Sequence, residues 1–391
     1  MQAQKLLHKL LKKSAVIGHK KRLDCVLRAV ESVTRQGKLS LTSIGRHLGG
    51  QARVKHKIKS VDKLLGNEQL REERESIYDL LSATVLGGLK EVLVVVDWSP
   101  CGSHANQLLK GSVVLQGRSF TLYEEIHPEK KLGNFKVHKE FLKKLKDKIP
   151  SSCQVIVETD AGFRTEWFEL VLAMGWDFIG RIRSNMKFQV EGNSRWVPCL
   201  SLYRKAGIGV KYIGKVLLAK TRVLACNLYL YQERKPIKKR KTRRTILSGR
   251  MEKDYSRSQR EPWLLATSLP GGLKTVKPLI YRYRKRMRIE HEFRDTKNGE
   301  WGIGLEYTRT KTIERLQILL LIGYLAIFLL WLIGLAAEEK KLHYHYQANT
   351  IKSHRVLSLV YLGLQILLHA PESIQTKDII SAFNKERKLC A

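Results

Sequence analysis

Tyr283, Arg286, Glu290 and Lys297 are spaced three, four and seven residues apart in the stretch YRKRMRIEHEFRDTK. On a helix that turns about 100° per residue they fall at about 0°, −60°, −20° and −40°, one narrow face. Glu292 lies about 180° from Tyr283 and Asp295 about 120° away. A carboxylate framed by a phenol and two cations suits a metal-bound acid beside a phosphate backbone. Taken alone, the same residues also describe a charged, solvated helix with i,i+4 pairs. Two aspartates elsewhere shift the balance. EVLVVVD over 91–97 and QVIVETD over 154–160 are apolar runs that read as buried strands, each closing on an aspartate. One such aspartate often only caps a turn; two in one domain are a stronger signal. Residues at the C-terminal ends of parallel strands face a shared crevice. If the two strands are neighbours, Asp97 and Asp160 meet there. With a third carboxylate from a nearby helix they form an all-oxygen site suited to Mg²⁺ or Mn²⁺. Two such ions about 3.5–4 Å apart activate a water or a 3′-hydroxyl and stabilise the leaving oxygen at a phosphodiester.

The elements that must position these residues read as follows. The first strand is broken by Trp98-Ser99-Pro100. Segments 112–116 and 119–125, joined around Gly117, form a hairpin and complete a three-strand meander. Asn134 caps a helix over 135–148, ended by Pro150. After the second aspartate come Gly162, a helix with Trp167, Phe168, Leu170 and Val171, and a strand over 177–183. The order is β-β-β-α-β-α-β, a mixed α/β core. Residues 1–88 read as helices. Thr42 caps a short helix through Leu48, Gly49-Gly50 turns, and a helix over 52–65 carries an apolar stripe of Val54, Ile58, Val61 and Leu65. Its other faces carry Arg53, Lys55, His56, Lys57, Lys59 and Lys63. Helix, glycine turn and basic helix make a helix-turn-helix pattern whose second helix fits a major groove, and Arg53, Lys55, Lys57 and Lys59 are its candidate DNA contacts.

Residues 185–262 alternate short β-like runs (187–190, 217–219, 224–231) with polar turns, and eight of the eleven residues in 234–244 are Lys or Arg. Such a run is usually a solvated loop; a phosphate-binding loop is the other reading. A strand returns at 261–267 with Trp263. The stretch 316–337 has 22 residues and no charge, long enough for a membrane span. Burial in the core is preferred, because Gln317, Gly323, Tyr324 and Gly334 interrupt it and a late single span serves no evident purpose in so basic a chain. Residues 338–391 read as helical, with Val356, Leu357, Val360, Leu364 and Leu367 as a stripe that either lids the core or meets a second subunit.

Charge narrows the partner. The 391 residues include 72 Lys and Arg against 36 Asp and Glu, a net charge of +36. That excess points to a polyanion, nucleic acid first and an anionic membrane surface second. Six cysteines without a C-x-x-C pair give no zinc or disulfide framework and fit a reducing cytoplasm. No secretory signal opens the chain: Lys5, Lys9, Lys12 and Lys13 interrupt its first leucines.

With these residues in place the chain resembles the DDE transposases of bacterial insertion sequences, in particular the group with a Tyr-x2-Arg-x3-Glu-x6-Lys signature. Here that signature is Tyr283, Arg286, Glu290 and Lys297 with every spacing intact. The surroundings resemble the hairpin-forming, cut-and-paste branch: VVVDWS at Asp97, TDAGF at Asp160, EPWLLAT at Trp263, and LTSIGRHL with KHKIKSVDKLLGN near the start. The resemblance runs from about Ser40 to about Gly363.

It implies a ribonuclease-H-like catalytic domain interrupted by a β-rich insertion, preceded by an all-α helix-turn-helix domain and followed by a helical C-terminal region. The expected divisions are 1–88, 89–184, 185–262, 263–337 and 338–391. It also implies that Asp97, Asp160 and Glu290 bind the metal, with Mg²⁺ (Mn²⁺ can substitute) and two ions per site. Tyr283, Arg286 and Lys297 would hold terminal DNA phosphates, and Trp263 would stack a base flipped from the hairpin end. One departure is Met287, where relatives can carry tryptophan. The partners implied are the element's terminal repeats, target DNA and a second copy in a synaptic homodimer. The place implied is a bacterial cytoplasm, at the nucleoid, without a membrane. A metal-dependent nuclease or resolvase on the same fold, and a catalytically inactive DNA-binding repressor, are the competing readings.

Overall fold

The computed structural model describes residues 2–36, 38–102, 105–115, 117–183, 186–232 and 261–390. The basic run 234–244 lies outside the described residues. Five helices open the chain: α1 (Gln2–Lys13), α2 (Lys20–Gln36), α3 (Leu41–His47), α4 (Val54–Leu65) and α5 (Glu68–Leu86). Ser40, rather than Thr42, caps α3, its hydroxyl accepting from the Ser43 N–H. α3 and α4 pack on one another and meet closely at Gly45, where an added Cβ would come within 2.6 Å of Ile58 Cα. The expected stripe on α4 is shifted. Val54 is exposed and Ile58 half-buried, while Leu64 joins Val61 and Leu65 inside. The helix starts two residues later than the pattern suggested, and only its C-terminal half reaches the core.

A single sheet organises the rest of the described chain. Strands β1 (Glu91–Pro100), β2 (Asn106–Leu115) and β3 (Arg118–Pro128) form an antiparallel meander. α6 (Phe135–Asp147), capped by Asn134 as expected, leads to β4 (Gln154–Thr159), which lies parallel to β1. α7 (Thr165–Ala173) then leads to β5 (Asp177–Arg181), parallel to β4. This mixed order, β3-β2-β1-β4-β5, is consistent with a ribonuclease-H-like transposase domain. Trp98-Ser99-Pro100 does not break β1 as the sequence suggested. These residues go on pairing with Leu109, Leu108 and Gln107 of β2 after the parallel ladder to β4 has ended at Val96 and Thr159. Pro100, with no N–H to donate, occupies the last position, where the sheet can spare it.

Beyond β5 the same sheet continues through β10, β9, β8, β6 and β7. These are Lys187–Val190 (β6), Val197–Pro198 (β7), Gly209–Leu218 (β8), Leu224–Gln232 (β9) and Trp263–Thr267 (β10), with a short α8 (Leu200–Tyr203) between β7 and β8. The β-rich segment between Asp160 and Glu290 therefore extends the core sheet by antiparallel pairing of β10 with β5. The stretch 283–297 is not one uninterrupted helix. It divides between α9 (Val276–Arg284) and α10 (Met287–Lys297). Across the joint the backbone tightens to three-residue hydrogen bonds: Lys285 to Arg282, Arg286 to Tyr283, Arg288 to Lys285 and Ile289 to Arg286. Each such turn advances the side chains more than an α-turn does, so Tyr283 leaves the Glu290 face and buries its ring against the sheet.

Between its charged ends α11 (Ile313–Glu339) is apolar on every side, and nearly all of that stretch is buried in the protein. It passes a membrane-span criterion by length and composition, but its surroundings are protein. α1, α2, α4 and α5 pack on it from one end of the chain, and α12 (Leu359–His369) and α13 (Thr376–Cys390) from the other. Val356, expected in the C-terminal stripe, precedes α12 and is exposed. Two glycines allow the closest crossing. A Cβ on Gly334 would lie 2.0 Å from the Leu359 carbonyl oxygen, and one on Gly363 would lie 2.0 Å from that of Leu330. Gly334→Ala and Gly363→Ala should each destabilise the protein by about 1–3 kcal/mol in urea unfolding despite alanine's better helix propensity. Gly323→Ala, which meets chiefly the flexible end of Leu39, should cost less than either.

Candidate active site

The parallel register that pairs Val96 with Thr159 places the next residues, Asp97 and Asp160, side by side at the end of the ladder. Each carboxylate is oriented by its own backbone. The Trp98 N–H donates to Asp97 Oδ1 at 2.8 Å, and the Gly162 N–H donates to Asp160 Oδ1 at 2.7 Å. Burial, reinforced by the like charge of Asp160, pushes the Asp97 carboxyl up to about 7, against the opposing pull of Arg286.

α10 brings the third carboxylate. Arg286 donates from Nη2 to Glu290 Oε1 at 2.7 Å while its Nη1 lies 3.8 Å from Asp97 Oδ2. The guanidinium thus bridges the helix and the strand end. Lys297 donates to the hydroxyl of Ser99, two residues past Asp97, and burial lowers its ammonium to about 8. Tyr283 is buried, and its ring meets Trp263 edge-on with centroids 5.2 Å apart. Trp263 in turn lies 5.4 Å from Tyr231. Asp97, Asp160, Glu290, Arg286, Lys297, Tyr283 and Trp263 therefore share one neighbourhood. Among the described residues no three acidic, imidazole or thiol groups converge into a closed ion cage; Glu290 is turned to Arg286. Arg53, Lys55, Lys57 and Lys59 are elsewhere, on α4. Arg53, Lys55 and Lys59 are exposed and Lys57 is half-buried, and no described hydrogen bond or ion pair links them to the carboxylates.

The opposite face of α10 carries a feature that the sequence reading did not identify. Asp97, Lys110 and Glu124 stand in one row across β1, β2 and β3, and α10 lowers Glu292 onto it. Lys110 Nζ lies 3.0 Å from Glu124 Oε2 and 3.5 Å from Glu292 Oε1. Ser119 donates to Glu292 Oε2 at 2.6 Å and Thr121 donates to Oε1. Tyr78 donates to Glu124 at 2.9 Å, and Arg118 pairs with Asp295 one helical turn on. Burial alone would strip Lys110 of its proton, but Glu124 and Glu292 hold it charged, its pKa raised. Lys110 and the two hydroxyls hold Glu292 below the usual carboxylate range against burial. The only sequence signal was a lysine inside the apolar stretch QLLKGSVVL. Glu158, two residues before Asp160, is also fully buried, and burial keeps its carboxyl well above the ordinary range.

Lys110→Met should cost about 3–5 kcal/mol in urea unfolding, because it leaves two carboxylates buried without a cation. Asp97 gives a pH dependence. Its folded pKa lies above the ordinary 3.8, so its contribution is full below the ordinary carboxylate range and is lost as pH rises through about 7. Without divalent ions, the Tm of the wild-type protein should fall more between about pH 5 and about pH 8 than that of Asp97→Asn.

Comparison with known families agrees with this geometry. The model described as Transposase DDE domain matches residues 97–329, more than half of the chain, beginning at Asp97. No match is found among curated proteins. The strand-end aspartates and the helix carrying Glu290 all fall within the matched span, and the chain belongs to the DDE transposases, enzymes of DNA transposition and recombination that generally use divalent metal ions.

Proposed function

We propose that Asp97, Asp160 and Glu290 are the reacting carboxylates of a cut-and-paste transposase of the hairpin-forming kind. The observation that carries this reading is the pair of aspartates at the end of one parallel ladder with Glu290 beside them on α10. The donors fit a hard divalent ion. They are oxygens only, and two are adjacent and oriented by backbone N–H groups. Asp97, Asp160 and Glu290 would hold Mg²⁺, or Mn²⁺ in its place, as two ions that supply activation of a hydroxyl and stabilisation of the leaving oxygen.

The chain's own residues account for the remaining tasks. Arg286 is shared between Glu290 and Asp97, and a terminal phosphate is a stronger bidentate partner for its guanidinium than either single contact. Lys297, anchored on Ser99, offers a point charge to the same backbone. Tyr283 supports Trp263 edge-on, and Trp263 offers its half-buried ring to a flipped base, a stack worth about 1–3 kcal/mol. The reaction sequence is a set of in-line transfers. Water nicks the element's end, and the freed 3′-hydroxyl attacks the opposite strand to close a hairpin. Water reopens the hairpin, and the 3′-hydroxyl then joins target DNA. No protein–DNA covalent intermediate is needed, and the buried Tyr283 is not a nucleophile. Arg53, Lys55, Lys57 and Lys59 on the helix-turn-helix contact the terminal repeats, and two copies act together because two ends are cut.

A labelled duplex carrying the element's end, incubated with Mg²⁺ or Mn²⁺, should give hairpin product with the wild-type protein and none with Glu290→Ala while end binding persists. Nicked product without hairpin would instead favour a metal-dependent nuclease. Equal activity in both proteins would remove Glu290 from the reacting set.

A further inference from the structure

The aspartate pair has a second bank. Asp97 faces α10, so Trp98, the next residue on β1, faces the other side of the sheet. There its indole N–H donates to His138 Nε2 at 3.0 Å, and its ring lies 5.8 Å from that of His127 at the end of β3. His138 sits in the opening turn of α6. Burial pushes its imidazole down to about 4, leaving it neutral and able to accept. Its ring stacks 5.4 Å from Phe163, which follows Asp160 by three residues. The start of α6 is thus tied to both aspartate-bearing segments.

Immediately outside this tie lies a surface that the described residues leave largely open to solvent. Leu132 is 50% exposed and Phe135 41% exposed. Around them stand Lys130, Lys131, Lys136 and Lys139, all exposed, and none has an ion-pair partner among the described residues. Arg222 lies over the Phe135 ring at 5.4 Å and is itself held by Glu169 at 2.6 Å. Exposed apolar side chains set among unpaired ammonium groups are the pattern of a surface that tracks a phosphate backbone and offers a stacking face.

We infer that this bank, from Lys130 to Lys139, seats the target duplex into which a cleaved end is joined. The inference rests on Asp97 and Asp160 being the reacting centre. In an in-line transfer the attacking and leaving oxygens stand on opposite sides of the phosphorus. The element's end, held on the α10 bank by Arg286 and Lys297, delivers the attacking 3′-hydroxyl. The attacked strand therefore leaves along the opposite bank, where α6 begins. Lysines that contact phosphates fix a duplex in place without reading its sequence, which suits a target bound with little sequence preference.

The test uses the full chain assembled on pre-cleaved element ends. Two quantities are measured for wild type, Phe135→Ala, Phe135→Trp and the double variant Lys130→Glu/Lys131→Glu. They are binding of a second, unrelated duplex by fluorescence anisotropy, and joining of ends into a plasmid. Phe135→Ala and the double variant should bind the second duplex about tenfold more weakly and need more plasmid for half-maximal joining, with end cleavage within about twofold of wild type. The double variant should also show a shallower salt dependence, and Phe135→Trp should restore binding. Unchanged binding in both variants would overturn the assignment, as would parallel loss of end cleavage and joining, which would place the bank in end binding or in structure. Failure of the carboxylate reading is distinguished separately, by wild-type cleavage that survives Glu290→Ala.

Discussion

Lys110, Glu124 and Glu292 are enclosed between β2, β3 and α10, out of contact with water. Removing three charges from water is costly, and their mutual pairing with the hydroxyls of Ser119, Thr121 and Tyr78 does little more than offset that cost. What the cluster supplies is definition of place. α10 carries acidic residues on both sides, and only one arrangement satisfies them all. A turn of the helix about its axis would expose Glu292 and strand Lys110, or drive Glu290 into an apolar sheet. The buried cation therefore sets which carboxylate of α10 is turned toward Arg286 and the strand-end aspartates, and the exposed charges of this helix depend for their place on buried ones.

The sheet performs the corresponding task for the aspartates. Parallel pairing of β1 with β4 aligns Asp97 with Asp160, and antiparallel pairing of β5 with β10 aligns Trp263 with the same edge. Because the strands after Asp160 join this sheet, Trp263 is carried on the framework that carries the carboxylates. The aromatic chain runs from Tyr231 through Trp263 to Tyr283, three residues before Arg286. A site held by strand register and by rotamers locked in packing keeps its geometry to a fraction of an ångström.

Much of this was legible from residue types. Apolar runs ending in Asp97 and Asp160 marked two strands that the structure pairs in parallel, and Asn134 marked a helix start that the structure keeps. The signature around Glu290 singled out Arg286 and Lys297, which the structure sets near Asp97 and on Ser99. Periodicity failed where local geometry departed from the ideal. The tightened turn at Lys285 and Arg286 separates Tyr283 from the face that a uniform helix would give it. Trp98 to Pro100 looked like a strand end because proline lacks a donor, but one-sided pairing with β2 tolerates it. The Lys110 cluster joins positions far apart in the chain, from Ser119 and Thr121 on β3 to Glu292 on α10, and no local pattern announces such a pairing. Val54 and Val356 are apolar residues at plausible intervals that tertiary structure leaves outside.

Between its charged ends the helix over Ile313–Glu339 has no polar side to turn to water, so its neighbours must cover almost all of that surface. Some of those neighbours, α1, α2, α4 and α5, are synthesised about 230 residues or more before it, and others, α12 and α13, after it. The N-terminal helices emerge from the ribosome without the surface they are shaped to cover. Contacts of such long sequence separation form late and slowly. The long helix is fully covered only once α12 and α13 have been made, and until then an uncharged helix-forming stretch is open to aggregation or to a chaperone. A chain cut before α12 and α13 would leave one side of this helix bare, an apolar surface of the kind that chaperones and proteases recognise.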